Sequence, residues 1–262
     1  MRWIRIIIAL SLTFALGTSS YFGDLPLAIA AIGLVVALAY GWPLLTDSPQ
    51  PVNTSLMLTV MGMVGMAIVW TSHEAPYLEL LPIAAGVGLL WAFAQNLLRG
   101  IGASHAVANV SAQVAGLVVT LSAATWVAAM RMSGDKEAVI IGLVSIGLAQ
   151  LATAVPWPAR YTSPLAMVGS VLGGGVGSFV IKDGVLNVWW GMTLGAVMGL
   201  LVIAVDRMLG LVASSRFQAA DIEHEPRRNK VRRLAVQVAL GVAPLAIGGV
   251  VIYILERIFI YR

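Results

Sequence analysis

Trp42-Pro43-Leu44-Leu45-Thr46-Asp47-Ser48-Pro49 returns 115 positions later as Trp157-Pro158-Ala159-Arg160-Tyr161-Thr162-Ser163-Pro164. Trp and Pro make up 8 and 11 of the 262 residues, so four shared positions in one string point to an internal duplication rather than to biased composition. Outward from the strings, further matches keep their order. Leu10-Ser11 and Gly23-Asp24 recur as Leu121-Ser122 and Gly134-Asp135, and Ile32-Gly33-Leu34 as Ile146-Gly147-Leu148. Gly62-x-Val64-Gly65 recurs as Gly174-x-Val176-Gly177, and Gly88-Leu89-Leu90 as Gly199-Leu200-Leu201. The offset between copies runs from 111 to 115 and returns to 111, as a small insertion near 136–139 and a compensating deletion after Pro164 would produce.

The duplicated chain is strongly apolar. Hydrophobic residues make up 59%, charged residues 11%, and the mean hydropathy is +0.91. Crossing a hydrocarbon core of about 30 Å takes roughly 17 to 25 apolar residues per helix. Runs of that size cover residues 4–20, 25–45, 55–72, 78–98, 106–130, 138–157, 165–181, 185–205 and 234–255. The first and seventh are the shortest. None alternates with period two, so the runs predict helices and not barrel strands. The expected fold is an all-α polytopic membrane protein of about nine transmembrane helices, a parallel 4+4 tandem repeat plus one C-terminal helix.

The duplication divides the spans into two four-helix units and one additional helix. Residues 1–104 form a first membrane repeat, 105–213 a second, 214–233 a basic cytoplasmic loop and 234–262 the C-terminal helix. An even number of spans per unit gives both copies the same orientation, related by an axis along the membrane normal. Met1-Arg2-Trp3-Ile4-Arg5 followed by an apolar stretch resembles a secretory signal, yet its match to the internal fifth span predicts that it is retained.

Lys and Arg set the expected orientation, because basic loops stay on the cytoplasmic side. A cytoplasmic N-terminus collects Arg2, Arg5, Arg99, Arg160, Arg207, Arg216, Arg227, Arg228, Lys230, Arg232 and Arg233 inside. Arg131, Lys136, Lys182, Arg257 and Arg262 fall outside, a ratio of eleven to five. The expected location is the cell membrane, of bacterial cytoplasmic type, with an external C-terminus. The net charge of +4 follows from this topology and calls for no nucleic acid. Membrane lipids are the expected partners, with anionic headgroups along 227–233 at about 1 kcal/mol per basic residue. A cytoplasmic partner docking on that loop is the alternative; a membrane-protein partner is a separate expectation.

Two glycine stripes at four-residue spacing, Gly169, Gly173 and Gly177 in the seventh span and Gly191, Gly195 and Gly199 in the eighth, predict close helix packing. Polar residues within the spans are few. Gln95 and Asn96 align with Asp206 and Arg207, so a polar pair ends the fourth helix of each repeat; these four are the candidates for a substrate or inter-repeat contact. His105, Asn109 and Gln113 form a polar stripe at spacing four. Because Ile4 aligns with Ala115, this stripe precedes the membrane core and is expected to lie at the interface as an amphipathic extension. Glu256 and Arg257 close the last span and are expected to hydrate or snorkel.

With no Cys, disulfides and thiolate chemistry are excluded. His73, Glu74 and Glu79 share no metal-ligand spacing. No catalytic or cofactor-binding motif is present, neither nucleophile elbow, phosphate loop nor zinc-protease helix. Three function classes remain. A permease- or flippase-like transporter of an uncharged or lipid-like substrate comes first, since the lack of intramembrane carboxylates argues against proton coupling. A non-catalytic scaffold or accessory subunit of an envelope complex is the alternative. A membrane-embedded enzyme acting on a lipid headgroup would have to use Gln95, Asn96, Asp206 and Arg207.

Overall fold

The structure, a computed structural model, describes residues 2–72, 74–98, 103–133, 136–181, 187–220 and 226–259. Among these residues the secondary structure is entirely helical: α1 (Arg2–Phe22), α2 (Asp24–Leu45), α3 (Pro51–Thr71), α4 (Leu81–Leu98), α5 (Ala103–Ser122), α6 (Thr125–Ser133), α7 (Lys136–Ala154), α8 (Ala159–Val180), α9 (Val188–Ala220) and α10 (Pro226–Phe259). Nine stretches are long and apolar enough to cross a membrane, with α5 and α6 sharing the fifth, His105–Met132. The spans expected to be marginal form full helices of 21 and 22 residues. The basic segment departs from the sequence reading. Residues 214–233 are not a loop at their ends, because α9 runs to Ala220 and α10 starts at Pro226. Residues 221–225 lie outside the described residues, as do the side chains of Arg227, Arg228 and Lys230.

The fifth span is broken where serine and threonine hydroxyls compete for backbone carbonyls. Ser122 Oγ donates to Val118 O at 2.7 Å and Thr125 Oγ1 to Ser122 O at 2.5 Å. The turn between them keeps its own bonds, from Ala123 N to Thr120 O and Ala124 N to Leu121 O, both 3.1 Å. Backbone groups are therefore satisfied inside the bundle, as a membrane interior demands. α10 crosses this break. A Cβ on Gly249 would sit 2.7 Å from Trp126 N, and the fully buried Trp126 donates Nε1 to Leu245 O at 2.8 Å.

The last helix is thus a centre and not an appendage. α10 packs against α1, α2, α5, α6, α7 and α9. The two halves of the chain also interleave: α1 packs on α7, while α5 packs on α2, α3 and α4. Residues 1–104 and 105–213 therefore do not form separate bundles, because each lends its first helix to the other.

Both Trp-Pro strings lie at the hairpin joining the second and third helices of their halves, but the turn falls at different places within them. In the first, Trp42 and Pro43 are inside α2 and Ser48-Pro49 forms the turn. In the second, Trp157-Pro158 forms the turn and Ser163-Pro164 is inside α8. Trp42 is buried and donates Nε1 to Ala112 O of α5 at 2.9 Å, whereas Trp157 is exposed.

The glycine stripes pack closely, on partners that spacing alone does not reveal. Gly173 and Gly177 face α7, where added Cβ atoms would meet Leu148 Cδ1 at 2.8 Å and Ile141 Cγ1 at 3.2 Å; Gly169 is looser, 3.6 Å from Leu148 O. Gly191 and Gly195 instead meet the other face of α8, against Gly174 and Ser170 backbone, and Gly199 lies over the Ser170 side chain. Ser170 Oγ donates to Gly195 O at 2.7 Å, adding a hydrogen bond to the van der Waals contact that holds helices together in lipid.

Candidate functional site

Polar side chains gather at one end of the bundle in two groups. The first begins with the turn after α2. Asp47 takes a positive φ of 57° and Ser48 N donates back to Pro43 O at 2.8 Å, closing the helix with a left-handed residue. Asp tolerates this conformation through its short polar side chain, and its carboxylate pairs with Arg232 of α10 at 2.5 Å. The turn aims Ser48 inward. Ser48 Oγ lies 2.9 Å from Thr54 Oγ1 of α3 and donates to Asn109 Oδ1 of α5 at 2.7 Å. Asn109 Nδ2 donates to Asn96 Oδ1 of α4 at 2.8 Å, and Asn96 Nδ2 to Gln113 Oε1 at 3.0 Å and Ala92 O at 2.7 Å. Gln113 Nε2 then reaches Gln95 Oε1 at 2.9 Å and Thr54 Oγ1 at 3.2 Å.

Gln95, Asn96, Asn109 and Gln113, predicted as two separate features, are therefore one cluster. Asn109 and Gln113 are fully buried, which overturns the expected interfacial position of that stripe. Apolar residues lie on both sides of α5, so three neighbouring helices can cover it, and amides in such a setting must find partners within the protein. His105, one turn earlier, is exposed. The cluster contains only neutral amides and hydroxyls. It offers no nucleophile with an adjacent base, and its chemistry is that of a lock between α2, α3, α4 and α5.

The second group surrounds a cavity of 590 Å³. Arg5 of α1 pairs with Asp206 of α9, Nη2 to Oδ1 2.6 Å, both side chains mostly buried. Arg207 Nη2 donates to Ser163 Oγ at 2.6 Å, Ala159 O at 2.9 Å and Thr162 Oγ1 at 3.0 Å, anchoring α9 to the start of α8. Trp157, Pro158, Thr153 and Val155 complete the wall. One carboxylate offsets one of the two guanidinium charges, so the cavity carries one net positive charge. This suits an anionic group, which Arg binds through its planar array of donors.

Each group thus links the serine of a Trp-Pro string to the polar pair of the fourth helix in its half, through Asn109 in the first and directly in the second. Gln95 and Asn96 lie at the end of α4, but Asp206 and Arg207 lie within α9, which runs on to Ala220 and does not end at them as the spacing predicts. Each is completed by the first helix of the other half, α5 or α1. No protein-family model matches the chain, and comparison with curated proteins and with solved structures finds no similar protein.

Sequence reasoning missed the burial of Gln150, Glu137 and Glu256. Gln150 donates Nε2 to Gly241 O at 3.0 Å and ties α7 to α10. Glu137 and Glu256 are both buried, the latter only 1% exposed, against the expectation that Glu256 hydrates at the interface. Their positions near helix ends gave no signal, since burial there depends on how the ends pack. Arg131 was read only as an external charge. It donates Nε to Asp24 Oδ2 at 2.8 Å and Nη1 to the carbonyls of Val69, Trp70 and Ser72 at 2.9 to 3.2 Å, capping the end of α3 where the helix dipole is negative. Among the described residues no group of three His, Cys, Asp or Glu could hold a metal; His73 lies outside them.

Proposed function

We propose that this chain is a lipid-handling membrane protein of permease or flippase type, which receives the polar head of a lipid-like molecule in the Arg5, Asp206 and Arg207 cavity. The position of that cavity carries the reading. α1 belongs to residues 1–104 and α7, α8 and α9 to 105–213, so the cavity opens where the two halves of the interleaved chain meet. Relative movement of the halves would change its shape, and transporters built from like repeats place their sites at that boundary. The tandem repeat is part of this proposal, supported by the paired strings and by the reciprocal exchange of α1 and α5. The net positive charge favours a lipid-like substrate over an uncharged solute.

Purified protein in proteoliposomes should speed the exchange of fluorescent phosphatidylglycerol between leaflets. Arg207→Gln should slow it by about tenfold, the loss expected for one charge-assisted hydrogen bond. A second reading, an accessory subunit, draws support from α10 filling the middle of the bundle and from the closed amide cluster beside it. A folded protein that gives no exchange and co-purifies in fixed ratio with another membrane protein would favour that reading.

The proposed orientation places Arg5, Asp47, Arg207 and Arg232 on the cytoplasmic side. The chain has no native cysteine to confuse labelling. Cysteines introduced at the exposed Val52 and Glu74, at opposite ends of α3 and its following loop, should react from opposite sides. In intact cells an impermeant thiol reagent should label position 74 alone; labelling at 52 instead would reverse the orientation.

A further inference from the structure

One helical turn beyond the charged cavity an apolar seam begins and runs along α1 and α7. On α1, Ile6 of the cavity is followed on the same helical face by Leu10, Phe14, Gly17 and Tyr21. On the α7 side, Val155 of the cavity, just past the end of the helix, is followed by Leu151, Leu148, Val144 and Ile140 of α7. The groove between these faces has a volume of 460 Å³. A second groove of 380 Å³, between α7 and α8, shares Tyr21, Ile140, Val144 and Leu148 with the first. The hydroxyls of Thr13 and Thr18 donate to Ala9 O and Phe14 O of their own helix, so neither is left over to bind a polar ligand. Its glycines are also unlike those of α8 and α9. A Cβ on Gly17 would lie 4.0 Å from Leu143 Cδ1, and one on Gly147 would lie 3.4 Å from Thr13 Cγ2, so neither glycine is needed for close helix contact.

We propose that the two grooves hold the acyl chains of an anionic glycerophospholipid whose phosphodiester head occupies the Arg5 and Arg207 cavity. Three observations agree on this occupant. The single net positive charge of the lining matches one phosphodiester, the two joined grooves match two chains, and the first groove begins one helical turn beyond the cavity, at Leu10 after Ile6, with the second continuing from it. From Arg5 to Tyr21 the seam climbs roughly 24 Å at 1.5 Å per residue. That is most of a hydrocarbon core of about 30 Å and exceeds one leaflet, as a path along which a chain slides requires. The inference names the substrate class of the site proposed above and rests on that reading.

The test uses phosphatidylglycerol, phosphatidylcholine and diacylglycerol with identical chains, each bearing a photoreactive diazirine at one chain end, in vesicles holding the full-length protein. Phosphatidylglycerol should label α1 and α7 peptides about tenfold more than the other two, and Arg207→Gln should remove that preference. Gly147→Leu, which fills the groove without a backbone clash, should lower labelling by phosphatidylglycerol while the thermal unfolding temperature is kept. Equal labelling by all three lipids, insensitive to both substitutions, would mean annular lipid only and overturn the proposal, as would labelling confined to other helices. Head-dependent labelling of the seam without leaflet exchange would leave the lipid site standing and remove the transport reading alone.

Discussion

Gly191→Leu is expected to be the most damaging single substitution in the bundle. A Cβ at this position meets Ser178 Oγ and the carbonyl oxygen of Gly174, and a backbone oxygen cannot rotate away. α8 and α9 must separate, and Ser170 then loses its bond to Gly195 O. The cost should be at least about 3 kcal/mol, the upper range for overpacking. Gly33→Leu is the matched control, because nothing lies within 4 Å of a Cβ there. Replacing that helical glycine should be neutral or stabilise by up to about 1 kcal/mol. Thermal unfolding in detergent measures both. Equal stability of the two variants would show that α8 and α9 do not cross at Gly174 and Gly191.

Asn109→Leu should be nearly as costly for a different reason. Asn109 accepts from Ser48 and donates to Asn96, so leucine leaves two buried polar groups without those partners. Each unsatisfied group costs about 1–3 kcal/mol, placing the variant roughly 2–6 kcal/mol below wild type. Asn109→Asp keeps an acceptor for Ser48 but not the amide donor to Asn96, and should fall between them. A double-mutant cycle of Asn109→Leu with Asn96→Leu separates cluster from background, since the second substitution removes a group the first has orphaned. The combined loss should be well below the sum of the two single losses. Strict additivity would mean that these amides act independently and that the lock does not exist.

The polar residues illustrate how far the sequence could be read. Gln95, Asn96, Asn109 and Gln113 stood out because amides are rare in so apolar a chain, and the 111-residue offset paired Gln95 and Asn96 with Asp206 and Arg207. Which of them touch could not be read. The stripe on α5 was aligned to the interface by counting residues from α1, but α5 extends its helix past that register and is covered by α2, α3 and α4. Gln150 and Glu137 escaped notice, and the burial of Glu256 was not legible, because a single polar residue in an apolar helix carries no periodic signal.

Hydropathy and run length by themselves determined an all-helical chain with nine membrane-length spans, and they did so because each span must satisfy its own backbone hydrogen bonds whatever surrounds it. Residue spacing also determined that Gly169 to Gly199 would serve close contacts. The tertiary structure alone decided that α9 meets α8 through Gly174 and Ser170, that α10 runs through the centre, and that α1 and α5 cross into opposite halves. A soluble amphipathic helix displays its buried face in its pattern, but a helix apolar on all sides gives no such mark. Its neighbours are chosen by the fit of small side chains and a few hydrogen bonds, and those are properties of pairs of surfaces that no single segment encodes.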